Sequence, residues 1–218
     1  MTIRVLCFGA GGHASVVVDL LQRLHRTQPI EIAGIVAREP VGSDVLGVPV
    51  LGTDDELKTV IEASGATHFV VAIGTTKGGN RLRKELFDLG SAAGLEPFTA
   101  IHSSAIVAES AVVGPGSVVM AGVVIQPRCR IGANAIINTR ASIDHDCIVA
   151  DHAHVAPGVV CSGSVSIGAG AHIGVGAVIL QNVQIGSDAT VGAGATVIRD
   201  CKAGATVVGL PARPIART

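Results

Sequence analysis

The chain has no tryptophan and no tyrosine, and only four phenylalanines among its 218 residues. Flat rings on which nucleic-acid bases could stack are therefore almost missing. Net charge is scarce too. Sixteen Lys and Arg against 17 Asp and Glu leave a formal −1, so no global field draws the chain to nucleic acid or to an anionic membrane. No apolar run reaches the roughly 18 residues of a membrane span. The opening residues MTIRVLCFGAGGHA lack the long apolar core and cleavage site of a secretory signal. The five cysteines, Cys7, Cys129, Cys147, Cys161 and Cys201, are odd in number and form no CxxC pair. That argues against a disulfide framework or zinc knuckle and for reduced thiols in a cytoplasmic protein.

What the chain does have is a repeat. From Ile101 to Lys202 it divides into hexads without a slip: IHSSAI, VAESAV, VGPGSV and so on to VIRDCK. The first position is Ile or Val in every hexad except at Cys161, and the fifth is always Ala, Ser, Val or Cys. Glycine often fills the second, as at Gly132, Gly168, Gly174, Gly186 and Gly192. A helix returns its apolar face every 3.6 residues and a strand every two. A period of six fits a short strand and a tight corner, repeated, so that an aliphatic side chain always comes back inside. Three sides make an eighteen-residue coil, and stacked coils bury a column of Ile and Val. The unbroken register extrudes no long loop, so an active site must stand on side chains of the coil surface.

Residues 1–97 read differently from 98–218. Ile3–Gly9 is a strand, Ala14–Leu24 a helix, Glu31–Val36 a strand, Asp54–Ala63 a helix, His68–Gly74 a strand and Asn80–Ala93 a helix. Alternation of this kind implies a parallel sheet with crossover helices, a Rossmann-like α/β domain. Gly9, Gly11 and Ala14 match G-x-G-x-x-A, a weak signal alone. The acidic residue that would hold a dinucleotide ribose is absent from Val36-Ala37-Arg38. A single nucleotide diphosphate on the backbone N–H groups after Gly12 fits better, although a plain strand-to-helix turn gives the same glycines. His13 stands in the first helical turn, where it could be a turn residue or a sugar–nucleotide contact. Gly74-Thr75-Thr76 is a second loop at a strand C-terminus.

Histidines concentrate in the coils, in Asp144-His145-Asp146-Cys147, Asp151-His152-Ala153-His154 and His172. His154 and His172 are eighteen apart and should stand on adjacent coils. His145 is half a coil from His154, on another edge of the triangle, so the two could meet only across a subunit interface. Acyl transfer needs a base near neutral pH, which histidine supplies, and a flanking carboxylate can orient it. The phase brings no three histidines to one point within a chain, so no metal is expected.

The segments FGAGGHASVV, INTRASIDHDCIVADHAHVAPG and VVGLPARPI together resemble the bacterial sugar O-acyltransferases of the sialic acid O-acetyltransferase (NeuD) group. The likeness is greatest to its PglD-type and perosamine N-acetyltransferases, and it covers essentially the whole chain. It implies a left-handed parallel β-helix after the α/β domain, and a homotrimer with sites at subunit interfaces. The implied reaction moves the acetyl group of acetyl-CoA to the 4-amino group of a UDP- or GDP-linked amino-dideoxy sugar. By the same resemblance His145 is the general base, Asp146 its acid partner and Asn138 a positioning residue. His154, Gly163, Val175 and Ala193 line the CoA side. Gly11, Gly12, His13 and Gly74 hold the nucleotide sugar, with Arg38 and Thr75 beside them. Ala193 stands where some members carry Gly, and Val36-Ala37-Arg38 where some carry an Asp pair that reads the base. Sugar O-acetylation and a non-catalytic nucleotide-sugar scaffold remain alternatives.

Overall fold

The computed structural model describes residues 2–38, 40–75 and 79–215. Contacts divide the chain into one unit of Met1–Gly74 with Arg83–Ala100 and another of Thr75–Leu82 with Ile101–Thr218. This differs from the boundary at 97/98 read from the sequence. The hexad pattern cannot reveal that Thr75 and Asn80 bond to the coils. The buried Asn80 amide donates to the carbonyls of Gly170 at 2.9 Å and Ala171 at 3.3 Å.

In the first unit β1 (Ile3–Phe8) is buried from Val5 to Phe8. It is followed by α1 (Gly12–His25), whose core face is Ala14, Val17, Val18, Leu20, Leu21 and Leu24. Then come β2 (Ile30–Val36), a hairpin of β3 (Asp44–Val45) and β4 (Val48–Gly52), α2 (Leu57–Ser64), β5 (His68–Val71), α3 (Arg81–Ala92) and β6 (Glu96–Pro97). The sheet order is β3-β4-β2-β1-β5-β6, parallel except for the hairpin. Beyond β1 the chain first builds outward through β2 and β4, then crosses to β5 on the other side. The strand order therefore reverses between β1 and β5. Beneath α3 the Phe8 and Phe69 rings stack with centroids 5.4 Å apart, and Phe87 of α3 packs tilted on Phe69 at 5.5 Å. Gly90 lets that helix approach, since a Cβ there would lie 2.8 Å from the Phe8 and Phe69 rings.

Two expected elements start or end differently from what the pattern suggested. The third strand ends at Val71, and the segment after it leaves the sheet as a loop. The helix expected from Asp54 begins with a 3-10 turn, Asp54–Glu56, because the Thr53–Glu56 capping box tightens the entry. Gly65, left-handed at φ 64°, ends α2. The β3–β4 hairpin was not foreseen. Its strands are short, and both turn residues, Leu46 and Gly47, have positive φ, as a two-residue hairpin turn requires.

The second unit is the left-handed β-helix. Two-residue strands recur every six residues and stack in parallel at an offset of eighteen, for example Ile136↔His154 and His154↔His172. They form three faces. The first contains Ile136–Ile137, His154–Val155 and His172–Ile173. The second contains Ser142–Ile143 and Val160–Cys161, the third Ile148–Val149 and Ser166–Ile167. The second residue of each strand points inward, giving a continuous column that includes Ile137, Ile143, Val149, Val155, Ile167 and Ile173. Second-position glycines are needed because the next coil lies directly on them. A Cβ on Gly174 would come 2.6 Å from the Ala193 nitrogen. Thr206–Val208 and the antiparallel Arg213–Ile215 close the first face.

Candidate active site

His145 sits in the corner between the second and third faces, on the turn after Ser142–Ile143. This turn is pinned twice by its own side chains. Asp144 Oδ1 accepts the His145 N–H at 2.7 Å, and Asp146 takes the left-handed conformation at φ 60°, which a short acidic side chain tolerates. The His145 ring is half exposed, and its Nδ1 lies 2.7 Å from Asp146 Oδ2. The same carboxylate receives a guanidinium fork from Arg128, Nε to Oδ1 at 2.6 Å and Nη2 to Oδ2 at 2.8 Å. Arg128 and then His145, through their hydrogen bonds, hold Asp146 well below the usual carboxylate range. An ionised Asp146 can only accept, so the His145 proton is on Nδ1 and Nε2 is the basic nitrogen. The ring rests over Gly163 in the next coil.

Beneath this corner two thiols donate to carbonyls, Cys129 to Asp144 at 2.9 Å and Cys147 to Ser162 at 3.2 Å. Burial pushes the Cys147 thiol up to about 11. It stays protonated at neutral pH, which argues against an acyl-cysteine intermediate.

His154 and His172 stand on the first face, stacked one coil apart with ring centroids 4.9 Å apart. The Thr75 hydroxyl is 2.8 Å from Asn80 Oδ1, 2.7 Å from His154 Nδ1 and 3.0 Å from His172 Nδ1. One hydroxyl has one proton. It donates to Asn80 and accepts from both rings, so both histidines carry their proton on Nδ1. His154 Nε2 then accepts from the Asn138 amide at 3.4 Å, while Asn138 Oδ1 takes the Thr139 N–H at 2.8 Å. Burial lowers His172, in keeping with a neutral pair. Val175 and Ala193 are exposed on stacked corners of the same column as Asn138, joined by the Gly194 N–H to the Val175 carbonyl at 2.8 Å.

Within one chain, then, the sequence-selected coil residues fall into two groups. His145, Asp146 and Gly163 meet at one corner. Asn138, His154, Val175 and Ala193 lie at the first face and the corner after it. Asn138, expected as a positioning residue, is hydrogen-bonded to His154 within the chain. Thr75, expected at the nucleotide sugar, holds the two histidines. Sequence reasoning placed His172 one coil from His154 but missed Arg128 and Asn80 as participants. The eighteen-residue offset could have found Arg128, which is one coil before Asp146. Among the described residues no three His, Cys, Asp or Glu side chains converge as metal ligands do, and no helix is long and apolar enough to cross a membrane.

In the first unit the C-terminal ends of β1 and β5 flank the point where strand order reverses, the usual ligand crevice of open α/β sheets. Gly9 at φ 114° leads the chain out of β1, and a Cβ there would strike Ile73. Gly11 and Gly12 are exposed with nothing within 4 Å of a built Cβ. Neither packing nor positive φ requires glycine at these two positions, which open the N-terminus of α1. His13 is partly buried, and desolvation and then the Arg83 guanidinium push it down to about 4. Arg83 is fully buried and donates to the Ile73 carbonyl at 2.8 Å. Gly74 follows on the β5 side, and Arg38 is exposed just beyond β2.

Residues 4–89 match the PglD N-terminal domain, and residues 164–199 match the bacterial transferase hexapeptide model of six repeats. GDP-perosamine N-acetyltransferase of Escherichia coli O157:H7 is 32% identical over 73% of this chain and 70% of its own. A mutant perosamine N-acetyltransferase from Caulobacter crescentus, solved with CoA and GDP-perosamine, superposes with a TM-score of 0.89 at 39% identity, over 98% of this chain and 97% of that one. The acetyltransferase domain of PglB from Neisseria gonorrhoeae, solved with acetyl coenzyme A, gives 0.87 at 36% identity over 99% and 100%. With its α/β unit, its β-helix and its histidine–aspartate corner, the chain belongs to the family of PglD-type and perosamine N-acetyltransferases, enzymes that use acetyl-CoA as cosubstrate.

Proposed function

We propose that the chain acetylates the 4-amino group of a GDP-linked 4-amino-4,6-dideoxy sugar, with His145 as general base, at a site completed by a neighbouring protomer. The observation that carries this is the His145–Asp146 pair. Asp146 fixes the proton on Nδ1, so Nε2 takes the proton of the amine as it attacks the thioester carbonyl. The tetrahedral intermediate collapses to the amide and the CoA thiolate, and the proton on Nε2 returns to the leaving sulfur. Asn138 and His154, held by Thr75, line the acetyl-CoA side with Gly163, Val175 and Ala193. Gly11, Gly12 and His13 meet the diphosphate at the open start of α1, with Gly74 across the crevice and Arg38 toward the base. Guanine is favoured over uracil by the GDP-perosamine relatives.

Two protomers are needed because His145 and His154 occupy different edges of one chain. Four of the six outward side chains of the second face, Ile106, Val124, Val160 and Val178, are apolar beside Ser142 and Thr196, and Ile106 is 66% exposed. We assign that face to a homotrimer interface. Light scattering should give about 66 kDa, three chains of 21.9 kDa, and a 22 kDa particle at assay concentration would exclude the shared site. The buried free thiols and the need for acetyl-CoA fit work in the cytoplasm.

The test is CoA-thiol release with GDP- and UDP-linked 4-amino sugars. His145→Ala should lower kcat by about 100-fold or more, and undiminished turnover removes the base. A product that survives mild alkali is an amide, whereas an ester would return the sugar O-acetylation reading. Thermal stabilisation by acetyl-CoA without turnover on any acceptor would return the scaffold reading.

A further inference from the structure

The Asp146 carboxylate serves two partners, and only His145 enters the mechanism above. The other is Arg128, one coil earlier at the same corner. Its backbone N–H donates to Ser110 Oγ at 3.1 Å, and its side chain reaches forward to Asp146. Asp146 N–H in turn donates to the Pro127 carbonyl at 3.1 Å, and Ser164 N–H to the His145 carbonyl at 2.9 Å. The corner is thus a ladder running from Ser110 through Arg128 and Asp146 to Ser164, and the reacting ring stands on its third rung.

Arg128 occupies a left-handed backbone position at φ 62°. Of the residues in the same hexad phase, Gly122, Gly158 and Gly176 at another corner are glycines at φ 66–69°, whereas the column that holds Arg128 continues with Asp146, Ser164 and Asn182 at φ 59–63°. Glycine adopts this conformation freely, whereas a long side chain does so at a cost. At this corner the arginine gains a two-pronged contact to the carboxylate that orients the base. A fork of this kind fixes the carboxylate plane, where a single contact would let it rotate. The Asp144 carboxylate, on the other side of the turn, accepts the His145 backbone N–H. The carboxylate plane is therefore set by Arg128.

We infer that Arg128 is a positioning residue for catalysis: by clamping both oxygens of Asp146 it fixes the direction in which His145 presents Nε2 to the acceptor amine. The inference rests on His145 being the base. No bond is made or broken at Arg128, and its effect passes through the plane of the carboxylate.

The experiment compares Arg128→Gly, Arg128→Lys, Asp146→Asn and His145→Ala in the full-length chain with acetyl-CoA and GDP-perosamine. Arg128→Gly keeps the backbone conformation that glycine favours, so its melting temperature should equal or exceed that of the parent. Its kcat should nevertheless fall about 5- to 20-fold, a fraction of the 100-fold expected for a base, with both KM values within about twofold. Arg128→Lys keeps the charge but not the fork and should recover only part of the loss. Methylguanidine at tens of millimolar should restore turnover to Arg128→Gly and not to Asp146→Asn.

Three outcomes overturn the inference. The first is kcat within twofold of the parent. The second is a loss confined to the KM for acetyl-CoA, which would make Arg128 a ligand contact. The third is a loss that tracks a lowered melting temperature, which would make it structural. Full activity in His145→Ala would instead sink the underlying base assignment. Collapse of His145→Ala beside an unaffected Arg128→Gly sinks only the role of Arg128.

Discussion

A Cβ built on Gly163 would come 2.5 Å from Cε1 and 2.7 Å from Nε2 of His145. The residue is buried and its φ is not in the left-handed region, so glycine is there for the ring above it. Gly163→Ala must therefore push the imidazole aside. Misplacement of a catalytic group by about 1 Å costs on the order of 100-fold. We expect a kcat loss of about 10- to 100-fold with little change in melting temperature, measured by CoA release and a thermal melt. An active Gly163→Ala enzyme would mean that the ring has another productive position. The sequence exposed this residue only through the family resemblance. Its physical reason, a ring folded over a bare Cα one coil away, needed the eighteen-residue stacking.

At the scale of the single coil, glycines do two different jobs. Gly174, in the second hexad position, has the Ala193 backbone against it, while Gly176, in the fourth, has open space and φ 66°. Alanine at 174 forces backbone apart between coils, an overpacking cost of about 1–3 kcal/mol or more. Alanine at 176 meets only the left-handed penalty, about 1 kcal/mol. Urea denaturation should rank Gly174→Ala well below Gly176→Ala, and the reverse order would contradict the stacking described here. The coil elements were legible in the sequence because each corner repeats the same demand. The β3–β4 hairpin was not, because two-residue strands around Leu46-Gly47 leave no period to read. Nor was the allegiance of Thr75 and Asn80 to the coils, since one hydroxyl and one amide decide it.

For the whole molecule, two histidines make stability depend on pH. Burial and then Arg83 push His13 down to about 4, and burial lowers His172. Both rings are neutral when folded but titrate near 6.5 once unfolded. Between about 6.5 and about 4 the unfolded chain binds more protons, so stability is full above 6.5 and is lost as pH falls through that window. Melting temperature should be flat from pH 8 to 7 and then drop by several degrees toward pH 4. His13→Gln should flatten part of that slope, and a profile that rises on acidification would refute the buried neutral rings. His172 belongs to the Thr75 knot, and its protonation at Nε2 keeps the Nδ1–H on Thr75 but places a cation beside the His154 ring, whose centroid is 4.9 Å away. Low pH should therefore perturb the proposed acetyl-CoA side before the chain unfolds.

By itself the sequence determined the β-helix, the phase of every inward side chain and the reading of His145 with Asp146. A six-residue period repeated without a slip leaves one way to bury its aliphatic residues, and neighbours in sequence share a turn. Tertiary structure decided what lies across coils and strands. It joined Arg128 to Asp146, seated His145 on Gly163, tied Thr75 to two histidines and put the strand reversal beside Gly9–Gly12. Each of these is a contact between residues at least eight positions apart, and most are set by one polar atom or one missing Cβ. Local pattern carries no trace of such pairings, because hydrophobic periodicity reports which way a side chain points and not which partner it meets.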